Sequence, residues 1–169
     1  GIGMSGLARI LLQKGKNVQG SDAAKSYVTD GLVDAGAKVF IGHSKEHLPT
    51  SCTVIYNSDI PVTNPELAAA KEQNIPLMHR SDLLVSLMSE HKVLAVTGTH
   101  GKTTTSSLLT HVFCSAGCDP AFAIGGLLVG RDINASHGTS PYFIAEADES
   151  DGTFLKYSCE GAIVTNIDN

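Results

Sequence analysis

An apolar strand that runs directly into a glycine-bearing turn constrains this chain more than any other feature. Val93–Val96 is apolar, two glycines follow within five residues, and Lys102 precedes three threonines. Glycines let backbone N–H groups converge on one point, the lysine adds a mobile positive charge, and the next helix directs its partial positive end there. The segment therefore predicts a nucleotide phosphate site at this turn, with Lys102 as its cation.

The spacing of the glycines departs from the general phosphate-loop pattern G-x-x-x-x-G-K-[ST]. That pattern places its first glycine at position 96, where this chain has Val96, and the first glycine comes at Gly98. A plain strand-turn-helix connection is the alternative explanation. The order of strand, Gly-x-x-Gly-Lys-Thr-Thr and helix favours phosphate binding.

Composition argues against nucleic acid and membranes as partners. The chain has 169 residues, 42% of them hydrophobic, and a net charge of −5. This length suits one ordinary domain or two small ones, and the acidic balance argues against nucleic acid as the main ligand because no basic stripe can neutralise a phosphate backbone. No stretch approaches the roughly 20 apolar residues of a membrane span, so we expect a soluble cytoplasmic protein without a membrane partner.

The cysteines and histidines do not indicate a zinc site. The four cysteines are not spaced as C-x-x-C and no paired histidine pattern accompanies them, so free thiols are expected. Among the seven histidines, only His100 has a position that argues for function, since it lies inside the phosphate loop.

The first half of the chain alternates helical and extended patterns. Glycines at positions 1, 3 and 6 precede an apolar helical pattern and predict a glycine-rich loop that opens a helix. A strand over residues 17–20 then leads to Asp22, which stands where an acidic residue can bind a ribose hydroxyl. Helices and strands continue to alternate to residue 89, which predicts a parallel, doubly wound α/β sheet.

Two local signals add detail to this half. Ser58 lies in the loop after the predicted strand 53–56, at the edge where open α/β sheets bind ligands. Asn64 and Pro65 predict the N-cap and first residue of a helix reaching Gln73. The polar stretch 89–92 is a plausible boundary, so we expect one domain over 1–90 and a second over 91–169.

In the second half we expect a helix over residues 103–116, followed by a strand that ends at Gly125 and Gly126. The helix is predicted to turn four apolar side chains to the core, namely Leu108, Leu109, Val112 and Phe113. The polar stretch 130–138 has no periodic pattern and is predicted to be a loop.

A second chemical signal follows the apolar strand 142–145. Residues 146–151 contain four carboxylates, and Glu146 is the one nearest the strand. Like charges at a strand end repel one another unless a cation or solvent separates them, so a solvated acidic turn is the alternative. Magnesium prefers oxygen ligands and is often held by one or two carboxylates together with phosphates. Glu146 and the Thr103 hydroxyl are therefore the predicted magnesium ligands.

The phosphate loop and the acidic segment together resemble those of the Mur ligases. The segment 97–105 resembles the family's ATP loop, including its departure from the general pattern, and His100 is characteristic of the branch that adds alanine. The segment 146–151 resembles that branch's acidic motif, while 1–6 and 64–67 also fit. The resemblance covers essentially the whole chain.

The resemblance implies an ATP-dependent ligase that joins L-alanine to UDP-N-acetylmuramate through an acyl phosphate, with ATP and Mg²⁺ as cofactors. It implies a Rossmann-like UDP-sugar-binding domain without its first strand, followed by part of a P-loop ATPase α/β domain, and a fragment that does not complete ligation alone. Lys102, Glu146 and His100 would be catalytic residues. The implied nucleotide-binding residues are Gly98, Thr99, His100, Gly101, Lys102, Thr103 and Thr104. The implied substrate-binding residues are Gly3, Ser5, Asp22, Ser58, Gly125 and Gly126.

Three alternatives stay open on the sequence. One is the related ligase that attaches a recycled tripeptide to the same UDP-sugar. Another is a P-loop NTPase in which hydrolysis drives movement, as in a switch or a transporter subunit. The third is a non-catalytic module that binds a nucleotide sugar.

Overall fold

The chain divides into two compact units, which are described separately. The structure, a computed structural model, describes residues 1–147 and 158–167. The first unit comprises Gly1 and Gly3–Leu84, and the second comprises Ile2 and Val85–Asn169. The division falls within one helix, Arg80–Met88.

The first unit alternates helices and parallel strands, as the pattern predicts. Its elements in chain order are α1 (Ile2–Gln13), β1 (Gln19–Asp22), α2 (Tyr27–Asp34), β2 (Lys38–Ile41), a 3-10 turn (Lys45–His47), β3 (Val54–Tyr56), α3 (Pro65–Glu72), β4 (Leu77–His79) and α4 (Arg80–Met88). β1 pairs with β2 and β3 pairs with β4, both in parallel. The α/β class is therefore confirmed.

The glycine-rich start is helical where a loop was expected. α1 already begins at Ile2 and contains Gly3 and Ser5. A Cβ atom on Gly3 would lie 2.9 Å from Nη1 of Arg80, so glycine here allows a guanidinium to approach the first turn of the helix. The glycine serves close packing rather than a turn at this position.

The start of α3 follows its predicted capping chemistry. Asn64 is the N-cap, and its Oδ1 accepts hydrogen bonds from the backbone N–H groups of Glu66 and Leu67. Pro65 stands at the first helical position, where a missing N–H costs nothing. The cap places the Glu66 carboxylate at the first turn of the helix.

Glu66 joins three segments of the first unit. Its carboxylate accepts hydrogen bonds from Ser21 Oγ at 2.6 Å and from the backbone N–H of Ser44 at 3.3 Å, and its Oε1 lies 3.0 Å from His47 Nδ1. His47 in turn stacks on Phe40, with ring centroids 4.0 Å apart. One carboxylate therefore links the end of β1, the segment after β2 and the start of α3.

The second unit is built on one five-stranded sheet. Its elements are β5 (Lys92–Thr97), α5 (Lys102–Ser115), β6 (Ala121–Leu128), β7 (Ile133–Ser136), β8 (Tyr142–Glu146) and β9 (Cys159–Val164). The strand order is β7-β6-β8-β5-β9, and every pair is parallel except β6 with β7. The core cluster Phe122, Ile124, Leu128 and Ile144 is buried in this unit.

Two predictions for the β6 region are wrong. β6 continues through Gly125 and Gly126 to Leu128, and the predicted loop 130–138 contains the strand β7. β7 is an antiparallel edge strand whose partner is β6, with a register irregularity between Ala123 and Leu128. A four-residue edge strand is stabilised by its partner, so its own short sequence shows little periodicity.

The predicted apolar face of α5 is half wrong. Leu109 and Phe113 pack on the core cluster, but Leu108 and Val112 are 61% and 60% exposed. The buried polar residues of this helix are Ser106 and Thr110, which donate hydrogen bonds to the backbone carbonyls of Thr103 and Ser106. A hydroxyl satisfied by its own helix can be buried without an outside partner.

No helix in the described part of the chain is long and apolar enough to cross a membrane.

Replacing Glu66 with alanine should destabilise the first unit, because three donors lose their shared acceptor. We expect a loss of about 2 kcal/mol, typical of hydrogen bonds to a charged group. Glu72→Ala on the exposed end of the same helix is the matched control and should stay within about 0.5 kcal/mol. Thermal unfolding of both variants measures this, and equal unfolding midpoints would contradict the linking role of Glu66.

Candidate active site

The loop between β5 and α5, residues 98–101, is here called the phosphate loop. β5 ends at Thr97 and α5 begins at Lys102. Gly98 has φ +125° and Gly101 has φ +81°, so both glycines hold backbone conformations that L side chains rarely adopt. The sequence prediction of a glycine-dependent turn between strand and helix is confirmed.

Two residues after β9 brace the phosphate loop. Thr165 Oγ1 lies 2.5 Å from the carbonyl oxygen of His100 and 3.1 Å from that of Thr97. The backbone N–H of His100 donates to Asn166 Oδ1 at 2.9 Å. Both the N–H and the carbonyl group of His100 are therefore bound by residues that follow β9, the strand next to β5.

Lys102 folds back over the phosphate loop. Its Nζ donates to the carbonyl oxygen of Gly98 at 2.6 Å and lies 3.5 Å from that of Thr99. The ammonium group thus binds carbonyl oxygens of the loop itself. An anion bound at the loop would be a stronger acceptor and could replace them.

Glu146, the last residue of β8, lies against the start of α5. Its Oε1 accepts from the Thr103 hydroxyl at 2.8 Å, and its Oε2 accepts from the backbone N–H of Gly125 at 2.7 Å. Because Thr103 gives its proton to Glu146, the lone pairs of its hydroxyl oxygen stay available to a cation. The carboxylate itself keeps further lone pairs beyond the two it uses.

Gly125 and Gly126 leave the room that this contact needs. A Cβ atom on Gly125 would lie 2.9 Å from Glu146 Oε2 and 3.0 Å from Thr103 Oγ1. A Cβ atom on Gly126 would lie 2.8 Å from Thr103 Cγ2. The two glycines therefore lie against Thr103 and Glu146 and leave room for their contact.

These groups line one open cleft of about 280 Å³. Its walls hold a lysine, a carboxylate and hydroxyl groups, and its lining residues are Thr99, His100, Gly101, Lys102, Thr103, Thr104 and Glu146. Of the predicted nucleotide-binding residues, all but Gly98 line the cleft, and Gly98 accepts the Lys102 hydrogen bond.

The oxygen groups fit a magnesium ion bound mainly through a phosphate. Thr103 and Glu146 supply hard oxygen atoms side by side, which Mg²⁺ prefers. Over residues 1–147 and 158–167 no three histidines, cysteines, aspartates or glutamates come together as a metal site. The remaining acidic residues of the predicted motif, Asp148, Glu149 and Asp151, lie outside the described residues.

The predicted substrate residues of the first unit lie in α1 and at the ends of strands. Gly3 and Ser5 are in α1, while Asp22 ends β1 and its Oδ1 accepts from the backbone N–H of Ala24 at 3.4 Å. Burial raises the pKa of the Asp22 carboxyl, whereas hydrogen bonds from the backbone N–H groups of Ala24 and Ala23 lower it.

Ser58 follows β3, and its Oγ lies 3.1 Å from His79 Nε2 at the end of β4. Parallel strands bring their carboxyl ends to one edge, so the serine and the histidine share that edge. The position of Ser58 in a loop at a strand end agrees with the sequence prediction.

The cysteines are free, as the sequence indicates. Burial raises the pKa of the Cys52 and Cys159 thiols above the usual value, which disfavours their thiolate forms.

Comparison with known proteins identifies the family. A model described as Mur ligase family, catalytic domain, matches residues 1–92. The UDP-N-acetylmuramate–L-alanine ligase of Protochlamydia amoebophila is 55% identical over 169 residues, covering 100% of this chain and 37% of that protein. The chain belongs to the Mur ligase family.

Solved Mur ligase structures agree with this assignment. The UDP-N-acetylmuramate-alanine ligase MurC of Thermotoga maritima superposes with a TM-score of 0.93 at 30% identity, covering 99% of this chain and 39% of that one. The UDP-N-acetylmuramate:L-alanyl-gamma-D-glutamyl-meso-diaminopimelate ligase of Neisseria meningitides gives 0.90 at 29% identity, covering 99% and 58%. The chain thus spans about 37% of the length of the curated relative it matches.

Sequence reasoning missed Thr165 and Asn166 as parts of this Mur ligase site. They follow the strand β9, which pairs in parallel with β5, so both strands end at the edge that carries the phosphate loop. A polar Thr-Asn pair directly after an apolar strand is the signal that could have found them.

Gly98→Ala should destabilise the protein more than Gly101→Ala. A Cβ atom at Gly98 would lie 2.2 Å from Thr165 Oγ1, whereas nothing lies within 4 Å of a Cβ atom at Gly101. We expect Gly101→Ala to cost roughly 1–2 kcal/mol for its left-handed backbone and Gly98→Ala about 3 kcal/mol or more. Thermal unfolding compares the two, and equal losses would show that the brace does not restrict this position.

Proposed function

We propose that this chain contributes the UDP-sugar site and part of the ATP site of a cytoplasmic ligase that joins L-alanine to UDP-N-acetylmuramate. The reaction consumes ATP and supplies a precursor of peptidoglycan. The relative from Protochlamydia amoebophila bears the name of this activity and matches the whole chain at 55% identity. We assign residues 1–90 to the UDP-sugar-binding domain and 91–169 to the first part of the ATP-binding domain.

The observation that carries the proposal is the contact of Glu146 with Thr103 directly after Lys102. A lysine and a helix start favour the phosphates, and the adjacent oxygen atoms suit the metal that accompanies a nucleotide triphosphate. This combination belongs to phosphoryl transfer, where catalysis is mostly positioning and charge stabilisation.

The chemistry needs an activated carboxylate and no side-chain nucleophile. A free carboxylate is a poor electrophile because its charge is delocalised and its oxygen leaves badly. Transfer of the γ-phosphoryl group of ATP to the lactyl carboxylate of UDP-N-acetylmuramate gives an acyl phosphate, whose phosphate leaves readily. The amine of L-alanine then attacks the acyl carbon, and the amide forms as phosphate departs.

Each residue of the cleft has a role in this scheme. Lys102 leaves the carbonyl of Gly98 and neutralises charge that grows on the transferred phosphoryl group. Thr103 and Glu146 would hold Mg²⁺, which neutralises phosphate charge when bound. Thr99, Gly101 and Thr104, which line the cleft, would surround the phosphates, and His100, which also lines it, would contact the muramate or the phosphates.

The first unit offers groups suited to the UDP part. Arg80 lies against the first turn of α1 at Gly3, so a guanidinium and the positive end of a helix act at one place. Ser58 supplies a hydroxyl at the end of β3, and Asp22 at the end of β1 is suited to a ribose hydroxyl. Ser5 belongs to the same first turns of α1, and Gly125 and Gly126 are proposed to face the sugar side of the phosphate site.

The tripeptide ligase is the second candidate function, because its structure from Neisseria meningitides also superposes on this chain. The alanine ligase is favoured by curated relatives at 55% and 50% identity that carry that name. Membership of the Mur ligase family argues against a switch, a transporter subunit or a non-catalytic module.

Measuring which substrates the full-length enzyme requires for phosphate release distinguishes these functions. We expect release from ATP only when UDP-N-acetylmuramate and L-alanine are both present. Stimulation by the tripeptide in place of L-alanine would indicate the recycling ligase. Release without any acceptor would contradict ligation.

Lys102→Ala should reduce ATP-dependent turnover of the full-length enzyme by about 100-fold or more, as for loss of a preorganised charge in a transition state. Lys92→Ala is the matched control, since Lys92 is exposed at the start of β5, the strand that leads into the phosphate loop. Its turnover should equal that of the parent. Near-normal turnover of Lys102→Ala, measured by phosphate release, would reject the assignment.

Glu146→Gln should lower turnover in a way that raised Mg²⁺ partly restores, because the amide is a weaker ligand than a carboxylate. Glu160→Gln, an exposed position of β9, is the matched control. Turnover is measured as a function of Mg²⁺ concentration for each variant. A parallel loss at every Mg²⁺ concentration would remove Glu146 from the metal site.

A further inference from the structure

His79 lies between two serines in the first unit. Its Nδ1 is 2.7 Å from Ser81 Oγ and accepts from the backbone N–H of Ser81 at 3.2 Å. Its Nε2 is 3.1 Å from Ser58 Oγ. Tyr56 packs edge to face against the ring, with centroids 5.4 Å apart, so the orientation of the imidazole is restricted from the side as well.

The contact with Ser81 decides which nitrogen of His79 carries the proton. A backbone N–H can only donate, so Nδ1 must be the acceptor and has no proton of its own. A neutral imidazole then carries its proton on Nε2. His79 therefore donates from Nε2 to the oxygen of Ser58.

This tautomer determines what Ser58 can do. Its hydroxyl oxygen accepts from His79, so its proton cannot be directed at the histidine and is available to another acceptor. Ser58 is exposed, and His79 is the partner that the structure gives to its side chain. The serine is thereby prepared as a donor to a ligand.

The surroundings favour an anionic acceptor. Ser58 follows β3 and Arg80 follows β4, and these strands pair in parallel, so both residues lie at the carboxyl edge of the pair. Ligands bind at this edge in open α/β folds, and a guanidinium favours phosphate there. A hydroxyl with a free proton complements a phosphate oxygen.

We propose that His79 is a positioning residue for the UDP-sugar: held by Ser81 as the Nε2–H tautomer, it orients the Ser58 hydroxyl to donate to a diphosphate oxygen. The inference rests on the proposed function, since it names a contact within that substrate site. A purely structural role, in which His79 only ties β3 to α4, is the competing explanation.

A pair of conservative variants in the full-length enzyme separates the two roles. In His79→Gln the side-chain amide nitrogen reaches the place of Nε2 and can still donate to Ser58. In His79→Asn the shorter side chain keeps an acceptor near the place of Nδ1 but has no donor at the place of Nε2. Ser58→Ala removes the donor to the ligand at an exposed position.

Binding of UDP and of uridine to each variant is measured by calorimetry, with thermal unfolding as a control. We expect His79→Asn and Ser58→Ala each to weaken UDP binding on the order of tenfold, as for one hydrogen bond to a charged group. His79→Gln should bind within about threefold of the parent. Uridine, which has no phosphate, should bind all variants alike, and the double variant Ser58→Ala with His79→Asn should match Ser58→Ala alone.

Parent-like UDP binding by His79→Asn would overturn the proposal, as would weaker binding by His79→Asn with parent-like binding by Ser58→Ala. If His79→Asn does not fold, parent-like UDP binding by Ser58→Ala overturns the proposal, and so does weakened binding of both UDP and uridine by His79→Gln. A parent enzyme that binds neither UDP nor UDP-N-acetylmuramate would instead reject the proposed function itself.

Discussion

The phosphate loop depends on hydrogen bonds that come from the far end of the described chain. Backbone N–H groups that await a phosphate cannot be paired within a strand or a helix, so the loop needs other support. Thr165 and Asn166 provide it from 65 and 66 positions away along the chain. They bind one carbonyl and one N–H group of the same residue, His100. The pairing of β9 with β5 therefore places the two residues that hold the loop in shape.

The brace also explains the chemistry on the other side of the loop. With the loop backbone held, α5 starts at a defined place and presents the Thr103 hydroxyl to Glu146 on β8. β8 and β9 are the two neighbours of β5 in the sheet, so one strand carries the carboxylate and the other carries the brace. The carboxylate proposed to bind metal and the loop proposed to bind phosphate are thus positioned by three adjacent parallel strands.

Sequence reasoning reached the parts of this arrangement that local chemistry specifies. The cap at Asn64 and the glycine turn before Lys102 each have a pattern within a few residues. It failed where partners are remote, as for Asn166, which bonds His100 from the end of a different strand. It also failed on the buried face of α5, because Thr110 returns its hydrogen bond to the carbonyl of Ser106 and is buried as if it were apolar.

The two predicted phosphate contacts differ in what binding must replace. Lys102 already donates to the carbonyl of Gly98, so a triphosphate gains the difference between an anionic and a neutral acceptor rather than a whole new interaction. In the proposed arrangement His79 donates to the Ser58 oxygen, so the Ser58 proton can be donated to the ligand. Its contact adds a hydrogen bond without breaking one in the protein. By this reasoning the lysine contributes mainly where charge grows during the reaction, whereas the serine contributes to affinity before the reaction begins.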